Sequence, residues 1–170
     1  MTRQNPAASA TFPARRLFLL AAVAAGAALA LAIASTVAHA PDWALLARQP
    51  LVIQLHIAAA LTALLLGTVQ LVGIKGTGLH RLIGWSWVVA MATVAISSLF
   101  IRQINPGSFS WIHLLSGWTL IALPMALFAV RRGRIGSHAS GMTWTFVGGL
   151  IIAGAFTLMP GRLMWKVFFG

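Results

Sequence analysis

Four histidines, His56, His80, His113 and His138, stand one apiece near the ends of four consecutive apolar segments, separated by 24, 33 and 25 residues. Imidazole nitrogen ligates transition metals and haem iron, and two imidazoles on one iron fill both axial positions, which suits electron transfer more than oxygen chemistry. Other routes to chemistry are nearly closed. The chain has no cysteine, so thiolate ligands, iron–sulfur clusters, disulfides and a cysteine nucleophile are excluded. A single acid, Asp42, leaves no carboxylate pair for acid–base work, and no catalytic residue is assigned. Zinc or copper would draw three or four ligands to one place, whereas these histidines divide between opposite ends.

The elements that must position them are membrane helices. The 170-residue chain is 59% hydrophobic and 8% charged, with a mean hydropathy of +0.91, whereas soluble domains carry about a quarter charged residues. Runs of about twenty uncharged residues occur at Leu17–Ala38, Leu51–Ile74, Leu82–Ile101, Phe109–Val130 and Met142–Met159. The expected fold is an all-α integral membrane protein, an up-and-down four-helix bundle from segments two to five plus an N-terminal transmembrane helix. Its organisation is a basic N-terminus over 1–16, a first transmembrane helix over 17–40, a four-helix core over 50–160 and a C-terminal tail over 161–170.

Twelve Lys and Arg against one acid give a net charge of +11, but these residues sit between the apolar runs rather than in one stripe. Orientation in an anionic bilayer accounts for them better than nucleic acid, which is not expected as a partner. They concentrate at Arg3, Arg15 and Arg16, at Lys75 and Arg81, and at Arg131, Arg132 and Arg134. By the positive-inside rule those positions, and the N-terminus, face the cytoplasm. The tail, with Trp165, Phe168 and Phe169 beside Arg162 and Lys166, reads as an interfacial anchor on the other side. Arg15-Arg16-Leu17-Phe18-Leu19 and Ala38-His39-Ala40 also fit a signal peptide with its cleavage site, but the length of the apolar run favours a retained helix. His39 is given no role.

A weak repeat of roughly 57 residues matches His56 and His80 to His113 and His138. Two hairpins result, with basic-side turns at Lys75-Gly76-Thr77-Gly78 and Arg131-Arg132-Gly133-Arg134. His56 and His113 lie about five residues, ~8 Å, below the outer ends of segments two and four. His80 and His138 lie at the cytoplasmic ends of segments three and five. Diagonal packing then gives two His pairs at two depths, the arrangement in which bundle cores build cofactor sites. Ala60, Gly84 and Gly117 follow three of the histidines at i+4, and Gly141 follows His138 at i+3. Such residues leave room for a flat macrocycle, and equally for close helix packing. With almost no carboxylate in the chain, Arg81, Arg131, Arg132 and Arg134 have haem propionates or lipid phosphates as natural partners.

The strings His80-Arg81-Leu82-Ile83-Gly84, Ser97-Ser98, His138 with Met142, and Pro160-Gly161-Arg162 resemble a bacterial multi-pass family known as domain of unknown function 2306. The likeness covers about residues 50 to 170 and implies a bacterial inner-membrane location, but no activity. The order of four His-bearing helices separately resembles the cytochrome b561 superfamily, whose core pairs histidines of alternate helices around two b haems. That resemblance implies an outer haem on His56 and His113 and an inner one on His80 and His138. The chain differs from that superfamily in placing His80 and His138 very close to the helix ends.

The remaining conspicuous residues read as structure. Trp85, Trp87, Trp111, Trp118 and Trp144 fit an aromatic belt, Gly67, Gly148, Gly149 and Gly154 fit close helix contacts, and Pro124 predicts a kink. Gln54 and Gln70 suit interhelical hydrogen bonds, and Met91, Met125, Met142 and Met159 suit core gaps. Ser97, Ser98, Asn105, Ser108 and Ser110 make the outer end polar enough to line a small donor site. The reading that follows is a haem b electron carrier with one or two haems, a membrane oxidoreductase if an enzyme, taking electrons from quinol or a small reductant. The alternative is a cofactor-free small transporter or membrane assembly factor, against which the lack of intramembrane acids weighs for cation-coupled transport.

Overall fold

In the computed structural model, residues 40–102 and 110–170 are described, and residues 41–168 belong to one compact unit. The expected first segment, and Asn105 and Ser108, lie outside the described residues. Helix α1 (Trp43–Ala47) is followed by α2 (Leu51–Val72), α3 (Gly78–Phe100), α4 (Trp111–Arg131) and α5 (Ile135–Phe146). A π-helical segment, Val147–Ile152, joins α5 to α6 (Ala153–Thr157), and α7 (Leu163–Phe169) ends the chain. Among the described residues, four helical stretches are long and apolar enough to cross a bilayer: Leu51–Val72, Gly78–Phe100, Ile112–Arg131 and Ile135–Thr157. At 1.5 Å per residue each spans about 30 Å, the thickness of the hydrocarbon layer.

Local chemistry sets the turns. Gly76 (φ 80°) and Gly133 (φ 73°) take the left-handed conformation between α2 and α3 and between α4 and α5, where a side chain would be strained. Thr77 caps α3, its hydroxyl accepting from the backbone N–H of His80 at 3.0 Å. Both helices on the basic side begin earlier than hydropathy suggests, at Gly78 rather than Leu82 and at Ile135 rather than Met142. His80 and His138 therefore sit inside first helical turns, because a turn of polar and small residues satisfies its backbone as well as an apolar one. Helix α4 continues through Pro124 without interruption.

Each crossing helix packs on its neighbours in sequence, and the last closes on the first more sparsely. This ring puts α2 and α4 on one diagonal and α3 and α5 on the other, the expected up-and-down bundle. Its centre is filled by Ala63, Trp87, Ala90, Met91, Leu123, Phe146 and Leu150. Gly67 is the close-approach point: a Cβ there would stand 2.4 Å from the Phe146 ring and 2.6 Å from Trp87 Nε1. Without a hydrophobic drive between helices in lipid, this interdigitation is what holds them. Leu61, Leu65, Val89, Ile121 and Phe156 face outward and are exposed, as lipid-facing positions should be.

Several side chains sit elsewhere than expected. Trp87 belongs to the core, not the aromatic belt, since it lies two and a half turns into α3 on the bundle face, while Trp85, Trp118 and Trp144 are exposed. Met91 is fully buried, but Met125 and Met159 face outward. Of the glycines, Gly149 approaches Met91 closely, whereas Gly148 and Gly154 have open space. Gln54 caps the short segment before α2 rather than bridging the bundle, its amide donating to the carbonyls of Ala47 at 3.0 Å and Gln49 at 2.8 Å. At the end away from the basic loops, α1 and α7 pack together. The Asp42 N–H donates to Val167 O at 2.8 Å, Trp43 and Phe168 meet edge to face at 6.0 Å, and Val167 is fully buried.

Candidate cofactor site

At the end remote from the basic loops, His56 projects from the second turn of α2 toward α3. Its Nδ1 lies 3.1 Å from Val94 O and 2.9 Å from Ser97 Oγ. A carbonyl oxygen only accepts, and the Ser97 hydroxyl itself donates to Thr93 O, so the proton sits on Nδ1 and Nε2 keeps its lone pair. His113, buried, is the N3 residue of α4, and its Nδ1 is 2.9 Å from the backbone N of Ser110 and 3.2 Å from Ser110 O. Either tautomer therefore has a partner, accepting the N–H or donating to the carbonyl. At the same end, the hydroxyls of Ser98 on α3 and Ser116 on α4 are hydrogen-bonded to each other. The far end thus holds a buried polar layer of Ser97, Ser98, His113 and Ser116.

At the basic end, the Nδ1–H of His138 donates to Ala126 O on α4 at 2.9 Å, again leaving Nε2 as the nitrogen with a lone pair. His80 Nδ1 is buried with no hydrogen-bond partner. The Gln70 amide crosses from α2 to donate to His80 O at 2.7 Å, the interhelical bond expected of it. His80 and His138, on diagonal helices, are within Coulombic reach of each other. Among the described residues no three metal-ligating side chains gather.

The family model of predicted membrane proteins designated DUF2306 matches residues 53–170. The chain belongs to this family. The match contains the four histidines and all of the bundle except the first two residues of α2. Neither a search of curated proteins nor one of solved structures gives a match.

In this DUF2306 protein the small residues near the histidines differ in what they leave open. A Cβ on Gly117 would meet nothing within 4 Å, whereas one on Gly84 would stand 2.7 Å from Gln70 Nε2. Gly84 thus accommodates the Gln70 amide, and Ala60 packs against the core. Arg81 is exposed beside His80 in the first turn of α3. Between the two ends, Trp87, Met91 and Phe146 form an apolar plug, and the Trp87 indole N–H within it has no partner. Sequence reasoning overlooked Ser116 and the Ser110–His113 cap. Both had a signal: Ser110-x-x-His113 has capping-box spacing, and Ser116 follows His113 by one turn in an apolar run.

Proposed function

We propose that this protein is a b-type haem-binding electron carrier of the bacterial inner membrane, with its N-terminus and basic end on the cytoplasmic side. The observation that carries this reading is the anchoring of Nδ1 by a backbone carbonyl at His56 and His138, at Val94 O and Ala126 O, with His113 Nδ1 held at the Ser110 backbone. A ligating histidine typically has its other nitrogen fixed in this way, which sets the ring's orientation and aims Nε2. The chain fits such a group best at the far end, where Gly117 leaves space. His56 and His113 would hold one haem, and His80 and His138 a second, with Arg81 available to a propionate. Bound haem would supply one-electron chemistry. The chain's own residues orient imidazoles, exclude water and, through the plug of Trp87, Met91 and Phe146, keep the two ends apart. Quinol or a small reductant is the donor we favour, entering near the polar far end.

A second reading, a cofactor-free transporter or assembly factor, is supported by the capping role of His113 and by the Gln70 amide over Gly84. In it the histidines are helix-end and packing residues. A reduced-minus-oxidised visible spectrum of the detergent-purified protein, made with ample haem supply, separates the two. Sharp b-type bands at a haem-to-protein ratio near two support both pairs, and a ratio near one supports the far pair alone. No haem sinks the carrier reading.

A further inference from the structure

A cavity of about 570 Å³ lies between α4 and α5, lined among others by Trp118, Gly136, Ser137, Ser140, Gly141 and Trp144. Its size is that of a small-molecule site. It opens sideways, toward lipid, because Trp118 and Trp144 on its two walls are 59% and 65% exposed. The floor is low: a Cβ on Gly136 would meet nothing within 4 Å. The loop that joins the two walls carries Arg131, Arg132 and Arg134, all exposed. Arg132 is held against the end of α4, its Cζ 4.2 Å from the Phe128 ring centroid.

No side-chain carboxylate in the chain can neutralise these three guanidinium groups. The only acid is Asp42, which caps α1 by accepting the Leu45 N–H at 2.8 Å, at the opposite end of the bundle. An apolar groove that opens into the bilayer, with hydroxyls on its wall and unmatched arginines at one end, matches one ligand chemistry. We infer that the α4–α5 groove binds an anionic phospholipid, one acyl chain lying along the glycine floor between the two tryptophans and the phosphate engaged by the arginine loop. Guanidinium pairs with phosphate through parallel charge-assisted hydrogen bonds, and basic pockets between membrane helices select acidic headgroups. A zwitterionic lipid brings its own cation and leaves the loop charge uncompensated. A neutral quinone would fill the groove but would make no use of the arginines. This inference uses none of the four histidines and stands whether or not haem is bound.

The test is native mass spectrometry and thermal unfolding of the full chain in detergent, with phosphatidylglycerol or phosphatidylcholine of identical chains added back. Phosphatidylglycerol should be retained and should raise the unfolding temperature, and phosphatidylcholine should do neither. Arg132→Gln and Arg134→Gln should each weaken retention roughly fivefold, the weight of one basic residue near an acidic headgroup. Arg134→Lys should restore most of it. Gly136→Leu, which fills the groove where nothing stands in its way, should abolish retention with all charges intact, while Arg162→Gln at the far end should change nothing. Equal retention of the two lipids would overturn the inference. So would loss of selectivity in Arg162→Gln, undiminished binding in Gly136→Leu, or equal stabilisation by inorganic phosphate alone.

Discussion

An imidazole ligates only through a nitrogen that does not carry the proton, so the hydrogen bond at the other ring nitrogen decides what each histidine offers. His56 and His138 are committed by carbonyls to presenting Nε2, whereas His113 can exchange between accepting and donating at Ser110. His56→Ala and His113→Ala should each remove the far-end haem while the protein still inserts and keeps its basic-end haem. The haem-to-protein ratio read from the visible spectrum checks this, and full retention in both variants would refute the pairing. Ser97→Ala should act more mildly, since the His56 ring keeps Val94 O. Haem should stay bound, with a changed midpoint potential in a redox titration. The four histidines and their regular spacing were legible in the sequence. Their anchors were not, because every residue has a carbonyl and Val94 is 38 positions from His56 in the chain.

At the scale of the helices, stability in lipid depends on how closely side chains interlock, and Gly67 is where they interlock most tightly. Gly67→Ala would press a methyl into Phe146 and Trp87. It should cost about 1–3 kcal/mol as an overpacked core site, seen as earlier thermal unfolding in detergent. Gly117→Leu has the opposite logic. Its Cβ meets nothing, so unfolding should be little changed, yet haem content should fall if a macrocycle uses that space. Unaltered haem in Gly117→Leu would move the cofactor elsewhere. The four apolar segments that fall within the described residues are helices at or near the expected places. The starts of α3 and α5 came out late in the sequence reading because hydropathy reports what prefers lipid, not where the backbone begins to hydrogen-bond. The π-helical stretch at Val147–Ile152 had only the Gly148-Gly149 pair as a hint, and glycine pairs serve many other geometries.

At the scale of the molecule, the decisive property among the described residues is four crossings with basic charge concentrated at one end. Lys75, Arg81, Arg131, Arg132 and Arg134 all belong to the same end of the bundle, while Arg48 and Arg162 belong to the other. Because the chain has no cysteine, single-cysteine variants report sidedness without background. Arg48→Cys should react with an impermeant maleimide on intact cells, and Arg132→Cys should react only after the membrane is opened. The reverse pattern would invert the proposed orientation.

Composition and patterning by themselves determined that this is a helical membrane bundle, how many membrane-length helices the family-matched region holds, and that histidine is the one chemically versatile side chain it carries. These are properties of runs and counts, and the bilayer enforces them through backbone satisfaction and segment length. Tertiary structure alone decided that Trp87 is core, that Gln70 fills the space over Gly84, and that a groove opens between α4 and α5. Each depends on rotation about a helix axis. In lipid both faces of a helix are apolar, so the sequence pattern that reveals the inward face of a soluble helix is largely missing.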